Sequence, residues 1–117
     1  MTAVTECFYS ALSNDADLAE LIELFVQELP ERLANLERCL DQGNWPELAR
    51  FSHQLKGAGG SYGFPQLTPV AAQLEQLAKQ AVADNSQYAA IDKLQTALND
   101  LTAVAVRLRA GIPELAS

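Results

Sequence analysis

The sequence predicts an all-α protein, an antiparallel up-down-up-down four-helix bundle with a short extra helix at its N-terminus. Apolar residues recur with helical spacing in four stretches, whereas the alternation that is typical of strands is weak throughout. Short runs rich in Gly, Asn, Asp and Pro separate these stretches, and such short connections favour antiparallel neighbours. The 117 residues, 49% of them hydrophobic, suffice for one core, so we expect a single domain over residues 1–117.

The first part of the chain is predicted to hold a short helix and then a long one. Residues 4–11 can form a helix that acts as a lid, and the segment 13–17 offers residues that cap the next helix. The long stripe continues in phase past Pro30, which favours one kinked helix over two segments. Its members are Leu18, Leu21, Ile22, Phe25, Leu29, Leu33, Leu36 and Leu40.

The next helix is predicted from Pro46 to Tyr62. Gly43 ends the long helix, Asn44 can cap its successor, and Pro46 suits the first turn because its missing N–H costs little there. Its apolar face consists of Leu48, Phe51, Leu55, Ala58 and Tyr62.

Two further stripes complete the bundle. One predicts a helix from about Pro65 to Ala83, and the other runs from Tyr88 to Leu108 and ends before Gly111. We expect the tail 111–117 to be frayed.

Composition argues against several classes of function. The net charge of −7 disfavours a nucleic-acid partner, and no apolar run approaches the length of a membrane span. Cys7 and Cys39 are far apart, which indicates free thiols in a cytoplasmic protein. With a single histidine, His53, they do not form a metal site, and we expect a monomer that needs no cofactor.

His53 is the candidate functional residue. On a helical wheel it stands opposite the apolar face, which lies between roughly 140° and 220° from it. Its neighbours within about 60° on that wheel are Ala49, Lys56, Gly57 and Gly60. A neutral imidazole nitrogen is a nucleophile that can take a phosphoryl group, and Lys56 can neutralise the added charge. The two glycines have no side chains, so another protein's backbone can come close to this face.

Each of these features also has a simpler explanation. A lone exposed histidine is usually inert, and Lys56 alone is most often a solvated charge. The glycines can mark a tight helix crossing, and Gly63 can simply end the helix. The combination is more specific than its parts. Dinucleotide-binding and Walker glycine patterns do not fit, and no second histidine supports a catalytic triad.

At these residues the chain resembles the histidine-containing phosphotransfer (HPt) domain family. The run His53-Gln-Leu55-Lys56-Gly57, with Gly63 ten residues after the histidine, is similar to the family pattern H-x-L-K-G-x(5)-G. The resemblance extends to the leucine-rich helix, to the turn Gly43-Asn44-Trp45 and to Leu74-Glu75.

The resemblance implies a phosphocarrier rather than an enzyme. Such domains are four-helix bundles that carry a phosphoryl group on histidine Nε2 between aspartates of receiver domains in two-component signalling. The family's lysine corresponds to Lys56, and Glu75 falls where the family often has a residue that hydrogen-bonds the histidine's other nitrogen. A carboxylate there would fix the tautomer, although Glu75 can also be a plain surface charge.

The expected partners are receiver domains and a hybrid histidine kinase. We expect Ala49, Gly57, Gly60 and Lys79 to form the docking surface and Gly63 to have a structural role. Two alternatives stay open: a docking module for a receiver or kinase that takes no phosphoryl group, and a small hydrolase, which the lack of a paired acid–base group disfavours.

Overall fold

The computed structural model describes residues 6–84 and 90–111, and four helices dominate them. The elements in chain order are β1 (Phe8–Tyr9), α1 (Ala16–Gln42), α2 (Trp45–Ser61), α3 (Leu67–Asp84), α4 (Ile91–Ala105) and β2 (Leu108–Arg109). The predicted four-helix bundle is confirmed. Each helix packs against the next one and α4 returns to α1, so the helices close around one core. The most extensive contact is between α2 and α3.

Helix α1 runs without interruption through Pro30, so the prediction of one long helix is confirmed. The Asp15 side chain caps its start by accepting a hydrogen bond from the backbone N–H of Asp17. Gly43 terminates it in the left-handed conformation, with φ of 67°, which a side chain would disfavour.

Helix α2 begins and ends with the signals that the sequence predicts. The Asn44 side chain accepts a hydrogen bond of 3.3 Å from the N–H of Glu47. At the other end Gly63 has φ of 76°, and the N–H of Phe64 donates to the Gly59 carbonyl oxygen over 2.8 Å. This is the hydrogen bond of a Schellman motif, so Gly63 ends the helix by turning the chain towards α3.

The prediction of an N-terminal helix over residues 4–11 is wrong for the described part of that segment. Residues 8–9 form β1, which pairs in parallel with β2. The Phe8 N–H donates to the Arg107 carbonyl oxygen over 2.7 Å, and the Arg107 guanidinium lies 4.1 Å from the centre of the Phe8 ring. A helix of eight residues is marginal by itself, and these contacts outweigh its weak propensity. Residues 1–5 lie outside the described ranges.

The last helix is shorter than predicted. Helix α4 ends at Ala105, a turn follows, and Leu108 enters the core from β2 rather than from a helix. The apolar stripe continued to Leu108 because the side chain is buried, and burial alone does not distinguish a helix from a strand. Tyr88 and the predicted tail beyond Gly111 lie outside the described ranges.

The core lies between the four helices and follows most of the predicted stripes. Its largest fully buried side chains are Phe64, Ile22, Leu36, Leu48, Leu55, Leu67, Leu74, Leu94, Leu98, Leu101 and Leu108. Leu21 and Ile91, which the stripes assigned to the core, are instead about half exposed, at 46% and 49%.

Candidate functional site

His53 lies in the middle of α2 on its solvent-facing side, as the helical wheel predicts. Leu48 and Leu55, on the opposite face of the helix, are buried, whereas the His53 side chain is 66% exposed. The core therefore fixes the rotation of α2, and this rotation presents the imidazole to solvent.

Glu75 of α3 meets His53 across the α2–α3 contact. Its Oε2 lies 2.8 Å from His53 Nδ1 and 3.0 Å from Lys79 Nζ, and its Oε1 lies 2.6 Å from Lys56 Nζ. Only 4% of the Glu75 side chain is exposed, whereas the Lys79 side chain is 62% exposed. The carboxylate thus holds together two lysines and the imidazole, a group that we call the Glu75 cluster.

Glu75 is ionised at neutral pH. Its burial acts to raise the pKa of the carboxyl, but hydrogen bonds from Lys56, Lys79 and His53 outweigh that effect and lower the pKa to about 2. A carboxylate with no proton can only accept hydrogen bonds. Since a neutral imidazole has one N–H, His53 must donate it from Nδ1 to Glu75, and its lone pair then remains on Nε2. In a neutral ring, the nitrogen that faces away from Glu75 is therefore the one with a free lone pair.

The cluster carries an excess of positive charge. The two ammonium groups of Lys56 and Lys79 outnumber the single carboxylate of Glu75. An anionic group arriving at Nε2 would thus meet a net positive environment at the surface of the bundle.

The glycines of α2 divide into two kinds. A Cβ added to Gly57 or Gly60 would meet no other part of the described chain within 4 Å, and both positions are exposed. A Cβ added to Gly59 would lie 2.6 Å from Thr68 Oγ1 and 3.2 Å from the Phe64 carbonyl oxygen. Gly59 therefore permits the close approach of α3, whereas Gly57 and Gly60 leave open surface near His53.

The other predicted site residues are distributed around this surface. Ala49, one turn before His53, is partly buried against the core, so it contributes less open surface than the glycines. Lys79, which we predicted as part of the docking surface, contacts Glu75 directly. Gly63 lies away from His53, and an added Cβ would be 2.6 Å from Ser10 Oγ, which supports its structural role.

The pattern of apolar residues did not reveal three buried positions of the site region. Ser52 and Gly59 face the bundle interior, and Glu75 is buried beside Leu74. Only apolar side chains enter a hydrophobic stripe, so a buried glycine, serine or paired carboxylate is invisible to it. The Ser52 hydroxyl is satisfied by donating to the Leu48 carbonyl oxygen over 2.7 Å, a bond that sequence spacing alone does not reveal.

No group of three metal-binding side chains comes together within residues 6–84 and 90–111. In the same ranges no helix has the length and apolar character to cross a bilayer. The two cysteines are free thiols, and Cys39 lies in the core, where burial first and the charge of Glu47 second raise the pKa of its thiol.

Comparison with known families gives one match. The family of Hpt domains matches residues 20–105, which is most of the chain and includes all four helices except the first four residues of α1. The chain belongs to the Hpt domain family. Among curated proteins and among solved structures, no match was found.

Membership gives this Hpt domain a phosphotransfer role in two-component signalling, because Hpt domains carry phosphoryl groups rather than catalyse a reaction of their own. The family works with receiver domains and kinases in general. The matched region contains the whole Glu75 cluster and the open glycine surface around His53.

Proposed function

We propose that this Hpt domain is a phosphorelay intermediate that accepts a phosphoryl group on Nε2 of His53 from a receiver aspartate and passes it to another. The observation that carries the proposal is the 2.8 Å contact between His53 Nδ1 and the buried Glu75 carboxylate. It directs the lone pair of a neutral ring to the exposed Nε2, where a receiver can reach it.

The transfer requires no cofactor. The Nε2 lone pair attacks the phosphorus of the aspartyl phosphate, the P–O bond breaks, and the aspartate leaves as a carboxylate. The ring then carries a proton on Nδ1 and the phosphoryl group on Nε2. In the forward step to a second receiver, that receiver's carboxylate attacks phosphorus, and the electron pair of the P–N bond returns to Nε2.

Lys56 has the role of stabilising the phosphoryl oxygens. Its side chain is 34% exposed and lies one turn after His53, so its ammonium can serve both Glu75 and a phosphoryl group at the surface. Charge-assisted hydrogen bonds to phosphate are among the stronger polar contacts in proteins.

The receiver would dock on the open face of α2 around His53. Gly57 and Gly60 present backbone without side chains there, and Lys79 adds a cation on the edge formed by α3. A small contact with few anchors suits a carrier that must release each partner after transfer.

A hydrolase is disfavoured by the charge state of Glu75. A general base works best when its pKa lies near the working pH, and the pKa of Glu75, at about 2, is far below it. We also propose a cytoplasmic monomer that carries a phosphoryl group between partners and has no kinase or ATPase activity of its own.

The direct test is transfer from a phosphorylated receiver to the native protein and to His53→Gln. We expect the native protein to acquire one acid-labile, base-stable phosphoryl group and the variant to acquire none. Circular dichroism should show equal helix content, because His53 is exposed and contributes little to the core. Equal labelling of both proteins would exclude His53 as the acceptor.

The same assay separates the alternative of a docking module. Such a module would bind the receiver with equal affinity before and after His53→Gln, and the native protein would remain unlabelled. The test should therefore measure how tightly the native protein and His53→Gln bind the receiver, as well as the transfer of the phosphoryl group.

A further inference from the structure

We propose that the negative charge of Glu75 keeps the proton on Nδ1 of phosphorylated His53, so that the domain stays competent for transfer at pH values where the ring would otherwise lose that proton. The inference rests on the proposed phosphorylation of His53. It goes beyond the orientation of the neutral ring, because it concerns the phosphorylated state.

The proton matters because it decides what leaves when the P–N bond breaks. With Nδ1 protonated, the electron pair of that bond returns to Nε2 and the leaving group is neutral imidazole. Without that proton the leaving group is an imidazolate anion, which is a far poorer leaving group. Transfer onward therefore requires the protonated form of the phosphorylated ring.

Glu75 is placed to stabilise that form. Its Oε2 is 2.8 Å from His53 Nδ1, and only 4% of the Glu75 side chain is exposed, so water screens the carboxylate weakly. An opposite charge at this distance favours the protonated state of a ring nitrogen. A glutamine would accept the same hydrogen bond and hold the ring in the same orientation, but it would supply no charge.

The neighbouring lysines explain how a carboxylate can lie so close to a phosphoryl group. Besides His53, the charged groups in ion-pair contact with Glu75 are Lys56 of α2 and Lys79 of α3. Within the described ranges, no charged residue of α1 or α4 makes such a contact with either. The two ammonium groups outnumber the carboxylate, so their attraction offsets the repulsion between Glu75 and a phosphoryl group on Nε2.

The test compares the native protein with Glu75→Gln. Both are first phosphorylated with phosphoramidate, a small-molecule phosphoryl donor that acts without a receiver. The rate at which each phosphoprotein loses its phosphoryl group is then measured from about pH 6 to about pH 9. We expect both rates to fall as the pH rises, but the native rate to begin its fall about one pH unit higher, so that the ratio of the two rates changes roughly tenfold across the range. Parallel profiles would overturn the inference.

A second measurement covers the case in which Glu75→Gln does not fold. His53 is the only histidine, so its ring nitrogens give unique signals in nitrogen-15 NMR spectra. In the native phosphoprotein we expect Nδ1 to keep its proton to a pH about one unit higher than in a phosphorylated peptide of residues 50–56. Loss of the proton at the same pH in both would overturn the inference.

Measuring exchange of the phosphoryl group with receiver domains distinguishes this inference from the proposed relay. If the phosphoramidate-loaded protein shows the expected pH profile but exchanges no phosphoryl group with receivers, the relay fails and the inference stands. Transfer from receivers with parallel pH profiles would leave the relay intact and refute the inference. A native protein that phosphoramidate does not label would contradict both, since the exposed Nε2 would then not be nucleophilic.

Discussion

At the residue scale, one buried carboxylate organises the site. One carboxylate oxygen of Glu75 contacts both His53 Nδ1 and Lys79 Nζ, and the other contacts Lys56 Nζ. A buried charge is costly unless it is paired, and three donors provide that pairing. The arrangement fixes the imidazole, holds both lysines beside it and leaves Nε2 free for chemistry.

Lys56 should accelerate transfer to His53. Lys56→Ala removes the ammonium one turn after His53, and we expect transfer from a phosphorylated receiver to slow roughly tenfold. Rapid-quench measurement of phosphohistidine gives that rate, and Lys93→Ala, at an exposed position of α4, serves as a matched control. An unchanged rate for Lys56→Ala would remove Lys56 from the mechanism.

Acid should weaken the fold through Glu75. Its pKa is lowered from 4.5 to about 2 in the folded protein, so its pairing stabilises the fold at pH values above 4.5. That contribution disappears as the pH falls through about 2, with a total of up to about 3 kcal/mol. Urea unfolding of the native protein and of Glu75→Gln, from pH 7 to pH 2, measures it. We expect the difference between their unfolding free energies to shrink by that amount, and a constant difference would contradict the pairing.

The sequence could predict His53, Lys56 and the glycines because they share one face of one helix. Glu75 came from the family resemblance alone, since a contact between two helices leaves no local periodicity. The direct contact between Lys79 and Glu75 was not predicted, although their spacing of four residues allows an ion pair on a helix.

At the element scale, α2 has three functional faces. Its apolar face packs into the core, its small buried residues admit α3, and its exposed face presents His53. The Thr68 hydroxyl lies 3.4 Å from the Lys56 carbonyl oxygen, so the two helices also meet through their polar groups. This close packing brings Glu75 within reach of the imidazole.

Alanine at the glycines of α2 should separate packing from docking. Gly59→Ala places a methyl group against Thr68 and the backbone of Phe64, and we expect it to lower the unfolding free energy by about 1–3 kcal/mol. Gly57→Ala meets no neighbour, and helix propensity should raise the unfolding free energy by up to about 1 kcal/mol. Denaturant titration of both variants measures these changes.

The Gly57→Ala variant also tests the docking surface. If receivers approach the backbone at Gly57, the alanine variant should take phosphoryl groups from a receiver more slowly but from phosphoramidate at the native rate. If the variant takes phosphoryl groups from both donors at the rates of the native protein, the open surface at Gly57 is not used for docking.

The helices could be predicted well because their apolar spacing and caps agree. Asn44 and Gly43 are local signals, and the structure uses both as predicted. The two strands have only two residues each, so their alternation is too short to be recognised, and their pairing joins positions about a hundred residues apart.

At the scale of the whole molecule, the described N-terminal segment joins parts of the bundle that are distant in sequence. The Ser10 hydroxyl donates to the Tyr62 carbonyl oxygen, the Ala11 N–H donates to the Gly63 carbonyl oxygen, and β1 pairs with β2. The segment thus ties the end of α2 to the segment that follows α4. It supports the helix that carries His53 without contributing a side chain to the Glu75 cluster.

Ser10→Ala should weaken this connection. Ser10 is 7% exposed, and its hydroxyl also accepts the Leu12 N–H over 3.0 Å, so the variant loses two hydrogen bonds in a nearly dry site. We expect the unfolding free energy to fall by about 1–2 kcal/mol, with a single cooperative transition retained. Ser61→Ala, at an exposed position, is the control, and equal stability of the two variants would exclude a role for this connection.

The position of the phosphoryl group on the imidazole tests the central claim most directly. After transfer from a phosphorylated receiver, phosphorus-31 and nitrogen-15 NMR spectra of the native protein identify the bonded nitrogen of its single histidine. We predict a phosphoryl group on Nε2 of His53 and a proton on Nδ1. A phosphoryl group on Nδ1, or on any residue other than His53, would contradict the account.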